Sequence, residues 1–324
     1  MASAQLAYGV DKCPETYDEY SFTLPELYRH VAKEELREDD DVREKAFSEM
    51  RQWIADNPHI RKCRTDAKFL LRFLRFCQFS VPMACEALER YLTLRALYPS
   101  WFTNLDCTEP VMQEILDNEP FMHLGQDAAG RAVFLVRFGQ FQSEQSSLQD
   151  IRYIALVLES VLEWEELQVG GLQVLVDYSG CSMSHFEKFS IHELQVGMDM
   201  YSRSYPLRYA AIHAAKLPKF ALPLLDTFLS FANPKMREKI QCYATVDDLG
   251  KHFETPLKPS TYGGSAEFSE MSRAFRKRLE EQRQIVLGLD RMEVDVDYYA
   301  SMWNLEEIPE EVSVGVMLKQ INMK

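Results

Sequence analysis

Apolar positions recur with two different periods along the chain, and the change of period divides it. From about residue 39 to residue 105 the spacing is helical. In "RTDAKFLLRFLRFCQFS", Phe69, Leu70, Phe73, Leu74 and Cys77 share one face, while Lys68, Arg72 and Arg75 share another. Thr65 or Asp66 can cap this helix. "REDDDVREKAFSEMRQWIADN" predicts an earlier helix behind the Asp39–Asp41 cluster, whose charge suits a helix N-terminus. "SVPMACEALERYLTLRALYP" predicts a later one, with Ser80 as cap and Ala84, Ala87, Leu88, Tyr91 and Leu92 as its stripe. Short polar connections make residues 1–105 a small helical domain.

After residue 105 strands and helices alternate. "FMHLGQDAAGRAVFLVRF" reads as two strands around a glycine-ended turn. "SEQSSLQDIRYIALVLESVLEWEEL" reads as one long helix with Leu148, Ile151, Ile154, Leu158, Val161 and Leu162 facing inward; Glu159 is either a buried acid or, as expected here, exposed on the helix's other side. "GGLQVLVDYSG" is an almost continuous apolar run, as expected of a strand buried on both faces. A further helix lies near "SIHELQVGMDMYSRSYP". "RYAAIHAAKL" fits helix by its alanines and strand by its brevity and position, and "QCYAT" is a last strand. The pattern predicts an α/β domain over residues 106–265 with a mixed, mostly parallel sheet flanked by helices. Residues 266–324 form a C-terminal tail, first a charged helix and then an acidic segment.

Composition narrows the function. Fifty acidic residues against 36 basic give a net charge of −14, which argues against nucleic acid as a partner because phosphate neutralisation dominates that affinity. Seven cysteines without a C-x-x-C pair fit free thiols in a reducing compartment. With no apolar run near the roughly 18 residues of a membrane span, a soluble cytoplasmic protein is expected. Nucleotide-binding and hydrolase motifs are absent, and the histidines lack metal-ligand spacing, so no cofactor and no metal are expected. Cys181, with His185 four residues later, is the best nucleophile pair, but it reads more simply as a small residue at a strand end. Asp177 is expected to cap the turn after its strand, and His213 to be a core histidine.

One stretch does not fit an ordinary core helix. In "FALPLLDTFLSFA" (220–232), Pro223, Asp226, Thr227 and Ser230 gather on one arc, and the apolar residues cover about 200° of the wheel, wider than the ~100° that packing on one core requires. Thirteen residues rise only about 20 Å, too short for a ~30 Å hydrocarbon layer. The excess arc needs a second partner: a neighbouring helix, a hydrophobic ligand or the upper layer of a membrane. From Arg203 to Lys239 seven basic residues stand against two acidic ones. Lys235 and Lys239, four apart, share a helix face. Such a cluster beside an apolar helix suits an anionic lipid surface, or else is a solvated face.

Taken in order and spacing, the helical segment at 65–99, "GGLQVLVDYSGCSMSHFEKFS", "SYPLRYAAIHAAKLPKF" and "LKPSTYGG" resemble the CRAL-TRIO lipid-binding family over residues 30–265. The closing motif departs from the family pattern by Lys258 between Leu257 and Pro259. The resemblance implies a helical N-domain followed by a sheet that floors an apolar cavity, closed by a mobile helical lid. By position the lid comprises Phe220, Leu222, Leu224, Leu225, Phe228, Leu229 and Phe231. In one branch of the family basic residues near the gate hold phosphoinositide phosphates; Arg208, Lys235 and Lys239 match three of those four positions and Ala210 departs from the fourth.

The expected function is non-enzymatic binding and transfer of a small hydrophobic lipid, a retinoid, tocopherol or similar, with release at phosphoinositide-containing membranes to which the protein attaches peripherally. The expected pocket uses Ile151, Ile154, Leu158, Val174, Val176, Tyr201, Tyr205 and Ile212, with Leu224, Leu225 and Phe228 as the lid's inner face. The alternatives are a phosphoinositide-sensing trafficking adaptor that recruits a protein through its C-terminal tail, and a lipid-modifying enzyme acting through Cys181 or Asp177.

Overall fold

The computed structural model describes residues 8–252, 255–302 and 314. The N-terminal helices are α1 (Glu26–Leu36), α2 (Asp40–Asp56), α3 (Ala67–Phe76), α4 (Val81–Leu97) and the single turn α5 (Pro99–Phe102), with a short strand β1 (Ile60–Lys62) after α2. Caps set their starts: Asp39 accepts from the Val42 amide at 2.8 Å, and Asp66, not Thr65, accepts from the Phe69 amide at 3.1 Å. Ser80 holds the N-cap of α4 without a side-chain hydrogen bond. Helix α1 buries Tyr28, Val31, Ala32 and Leu36 at helical spacing but is absent from the sequence expectation.

The α/β part runs α6 (Pro110–Asp117), β2 (Phe121–Gln126), β3 (Ala132–Arg137), α7 (Ser147–Val161), α8 (Glu165–Gly170), β4 (Leu172–Asp177), α9 (Ser184–Glu187) and α10 (Ile191–Asp199). A π-helical turn, Met200–Ser204, leads to β5 (Tyr209–Ala215), α11 (Leu222–Phe231), α12 (Pro234–Arg237), β6 (Ile240–Tyr243) and α13 (Val246–Gly250). The sheet order is β2-β3-β4-β5-β6, antiparallel between β2 and β3 and parallel elsewhere. This is the mixed, mostly parallel sheet that the alternation predicts. The ambiguous "RYAAIHAAKL" is a strand because it is hydrogen-bonded on both edges, to β4 and β6. The run expected as one long helix is two: the chain turns at Trp164, whose indole packs against His123, Phe134 and Phe275. Leu148, expected to face inward, is exposed one turn before the buried stripe of α7 begins.

The chain closes with α14 (Phe268–Gly288), β7 (Glu293–Val294) and α15 (Val296–Met302). Phe275, Leu279 and Val286 of α14 join the main core, Arg283 pairs with Asp106, and β7 pairs antiparallel with β1. Residues 268–302 thus lie against both preceding parts. Most of the acidic end, expected as a protein-recruiting segment, lies outside the described residues. No helix among the described residues is long and apolar enough to cross a membrane.

Candidate lipid cavity and basic cleft

Strand register sorts the sheet residues onto two faces. Phe134, Val174, Ile212 and Ile240 are in line across β3 to β6 and face α7 and α11. Val133, Leu135, Leu175 and Ala215 face the other way and are buried with Leu249 and Phe268. The two faces pack differently. Leu175 is fully buried, whereas Val174, Val176 and Ile212, on the same two interior strands, are only half-buried. Space exists on that side of the sheet, where an ordinary core would be filled to crystal-like density.

A cavity of about 170 Å³ lies there, beneath α11. Ile151 and Ile154 of α7, Tyr201 of the π turn, and Leu224, Leu225 and Phe228 of α11 line it, as the sequence reading expects. Trp101, Phe138, Tyr178, Phe186, Phe189, Leu194, Met200 and Leu217 also line it and are missed by that reading. Phe186 and Phe189, three apart beside α9, carry a helical-spacing signal that could have found them. Tyr205, expected in the pocket, turns away: its hydroxyl donates to Glu159 at 2.8 Å and its ring packs on Tyr91 and Phe102. Leu158 is buried in the core, and Val174, Val176 and Ile212 are half-buried on the sheet; none of these four expected residues lines the cavity.

Helix α11 lies along the cavity and is itself little buried. Of its ten residues only Leu224 is buried, and Leu222 is 48% exposed. Leu229 is half-buried; Phe231 packs beside Leu224, Ile191 and Val314; and Phe220, just before the helix, meets Phe186 edge-on. The Val314 amide donates to the Phe189 carbonyl at 3.0 Å, so this one described residue of the C-terminal end sits against the lid.

The cavity wall has few polar groups. Glu193 is committed, accepting from Ser147 Oγ at 2.8 Å and from the Ser190 amide at 2.7 Å in the capping box of α10. The phenols of Tyr178 and Tyr201 also line the cavity, and burial raises both well above the usual phenol range.

Beside the cavity opens a polar cleft of about 840 Å³ lined by Arg131, Arg208, Lys235 and Lys239 together with Glu35 and Ala210. The structure brings the three predicted basic residues together and adds Arg131 from the β2–β3 turn. Backbone geometry places Arg208. Gly171 has φ +75°, and a Cβ there would come within 2.6 Å of the Arg208 carbonyl, so only glycine lets these strands approach. The Arg208 guanidinium pairs with Glu35 at 2.8 Å and donates to the Val169 carbonyl, and burial lowers its pKa. Arg131 pairs with Asp127 at 2.6 Å. Lys239 donates to the Tyr209 carbonyl, and Lys235 is exposed. Tyr201 lines both the cavity and the cleft.

The far end of α7 is ionic. Glu159, expected on an exposed side, is fully buried and accepts from Tyr91, Tyr205 and Arg95. Four residues on, Glu163 takes Arg64 and Arg72. Arg75 is buried against Glu38 and Gln168. The charged face of α3 therefore meets α7 and α8, which is why Glu159 points inward.

The candidate catalytic groups are otherwise engaged. Burial pushes the Cys181 thiol up to about 12, so it is protonated at neutral pH, and His185 bonds to Ser182. Asp177 caps its turn through the Ser179 amide at 2.8 Å and accepts from Tyr262 at 2.9 Å. His213 is a buried histidine bonded to Tyr243 and stacked on His252.

Comparison with known proteins agrees with this architecture. Residues 116–264 match the CRAL/TRIO domain model, and residues 39–112 match the Pinta-like, UBA domain model. Clavesin-1 of Xenopus laevis is 28% identical over 234 residues, 71% of this chain and 70% of the relative. Clavesin-2 of Homo sapiens is 27% identical over 285 residues, 87% and 85% of the two chains. A solved structure titled "Crystal structure of Sfh5" covers 94% of this chain at TM-score 0.47 and 14% identity, a likeness too loose for comparing sites. Residues 116–264 therefore carry a CRAL/TRIO domain, the domain of a family whose members bind and transfer lipids.

Proposed function

We propose that the protein is a non-enzymatic carrier of one small, uncharged lipophile, exchanged at anionic phosphoinositide-containing membranes. The observation that carries this reading is a ten-residue apolar helix with one buried residue, laid over an apolar cavity and adjoining a cleft with four basic side chains. In water the closed lid hides cargo. At a bilayer the cations engage phosphate, the lid's apolar arc enters the interface, and the open state gains by differential binding.

Cavity chemistry constrains the cargo. Glu193 lies in the wall and no basic residue lines the cavity, which disfavours a carboxylate. The phenols of Tyr178 and Tyr201 in the wall suit a neutral oxygen, because a hydroxyl is costly to bury without a hydrogen bond. An alcohol, aldehyde or phenol on a retinoid- or tocopherol-like body meets both conditions. The closed cavity of about 170 Å³ is smaller than the ~300 Å³ at the low end of ligand pockets, so loading displaces the lid. Native purification, organic extraction and mass spectrometry test the reading: one neutral oxygenated lipophile at near-stoichiometric amount is expected, and fatty acids or phospholipids alone would overturn it.

A second reading, a phosphoinositide-sensing adaptor, draws on the Pinta-like match. Helix α3 of that region is already occupied by the α/β domain, which favours the carrier.

A further inference from the structure

Helix α12 stands between lid and cleft and holds on to both. Lys235, inside this turn, and Lys239, two residues past its end and next to β6, line the cleft. Arg237 points the other way. Its Nε donates to the Ala232 carbonyl at 3.0 Å and its Nη2 to the Ser230 carbonyl at 2.8 Å. These belong to the last turn of the lid and its C-cap, where carbonyls lack helical partners and a cation is favoured. Asn233 fixes the joint from below. Its Oδ1 caps α12 by accepting from the Met236 amide at 2.8 Å, and its Nδ2 donates to the Ser202 carbonyl at 2.9 Å in the π-helical turn. That turn also carries Tyr201, which the cavity and the cleft share. Single π turns mark sites where a helix is adjusted for function.

The two sides of the cleft differ in freedom. Arg208 is a fixed jaw, held by Glu35 and the Val169 carbonyl. Lys235 is exposed, and Lys239 is held by a backbone carbonyl, a weaker partner for an ammonium than a phosphate oxygen. An anion bridging both sides draws the mobile jaw toward the fixed one.

We infer that α12 is a rocker coupling the cleft to the lid: an anion taken by Lys235 and Lys239 pulls α12 into the cleft and lifts Arg237 off the lid's terminal carbonyls, while Asn233 is the pivot on the π turn. Arg237 and Asn233 are positioning residues. The inference rests on the proposed reading of the cleft and assigns that site its regulation.

The test uses the full chain with inositol hexakisphosphate as a soluble probe. Calorimetry measures binding, and hydrogen exchange follows the lid amides of residues 222–231. In the wild type the probe binds and lid exchange rises roughly tenfold, the size that loss of about one hydrogen bond gives. Arg237→Gln binds the probe equally well, but its lid exchanges fast without probe and no longer responds. Arg237→Lys restores part of the response. Asn233→Ser keeps an N-cap acceptor and loses the amide donor; it binds the probe while the lid stays protected. A lid that responds as in the wild type in Arg237→Gln or in Asn233→Ser overturns the rocker. Binding to the wild type without any change in lid exchange overturns the coupling and leaves the cleft reading standing. No binding to the wild type overturns the cleft reading and the rocker with it.

Discussion

Helix α7 serves two regions built on opposite principles. Near its N-terminus Ile151 and Ile154 face a cavity with unfilled apolar space. Near its C-terminus Glu159 and Glu163 face Arg64, Arg72 and Arg95 in a dry, crowded seam. The cavity wall is non-directional and tolerates displacement. The seam is directional, since each charge is compensated only while α3, α4 and α7 keep one register. Buried ion pairs add little net stability over apolar packing, yet breaking one is costly. The difference teaches how the two walls of one cavity can be held unequally: directional charge pairs anchor α7 to α3 and α4, whereas α11 buries one residue of ten.

The largest expected effect tests that anchor. Glu159→Ala takes the buried partner from Arg95 Nη1 and from the Tyr91 and Tyr205 hydroxyls, and leaves Arg72 paired with Glu163 and Arg95 with the exposed Asp290. A loss of about 3–5 kcal/mol in urea unfolding is expected, the cost of removing one partner from a buried charge pair. A loss below about 1 kcal/mol, the ordinary surface-pair value, would break the contrast between seam and lid.

Acidification separates the seam from the rest of the fold. Burial raises Glu163, but Arg72 and Arg64 outweigh it and hold the carboxylate below its usual range, so this group stays ionised as the pH falls toward 4. His123 and His213 behave otherwise: burial lowers both to about 4, helped by Arg278 and by His252. A depressed histidine pKa contributes stability that is complete above the unfolded value near 6.5 and is lost as pH falls toward 4. Asp150, pushed up to about 6 by burial, acts in the opposite sense and offsets part of the loss below pH 6. The net expectation is a melting temperature that falls between pH 6.5 and 4, by an amount equivalent to roughly 1 kcal/mol per pH unit per uncompensated proton. His213→Gln should flatten the slope. An unchanged slope would shift the acid sensitivity to the seam.

Sequence alone reaches some of this and misses the rest for identifiable reasons. Local pattern reveals β2, β3, β4 and β6 and the main helices, while β5 stays open between helix and strand because its partners on both edges are distant in sequence. Arg208, Lys235 and Lys239 are separated by up to 31 positions, and only the family resemblance brings them together; the structure then adds Arg131, whose turn supplies no sign that it reaches the cleft. Glu159 is assigned to solvent because one helix cannot reveal what faces it. A signal existed in combination: Glu159 and Glu163 stand four apart, at the end of α7 and in the turn that follows it, and Lys68, Arg72 and Arg75 share the face of another helix. Two complementary charged stripes on otherwise apolar helices can bury each other. Tyr205 reads as a pocket residue for the same reason, since its partner Glu159 is 46 positions away.

On the cavity side, Lys235→Glu with Lys239→Glu should weaken attachment to phosphoinositide vesicles by about 2 kcal/mol or more, counting roughly 1 kcal/mol per basic residue near the surface. Transfer of a fluorescent retinoid to those vesicles should slow by about 30-fold. Transfer to neutral vesicles and cargo affinity in solution should hardly change. Equal rates on both vesicle types in the wild type would remove the headgroup step.

The smallest effect is the sharpest test of the lid. Leu222 is nearly half exposed and lies outside the cavity lining, whereas Leu225 lines the cavity. If α11 were a poorly packed core helix, serine at either position would act through stability alone. If it is a lid with a membrane-facing side, the two substitutions separate. Leu222→Ser should alter stability by no more than about 0.5 kcal/mol, as exposed positions do. It should leave solution affinity for cargo intact and slow vesicle transfer about fivefold, because a leucine no longer enters the interface. Leu225→Ser should lower solution affinity itself. The comparison fails if both variants lose affinity together, or if Leu222→Ser transfers as fast as the wild type, for then the exposed leucine has no role that solvent alone would not explain.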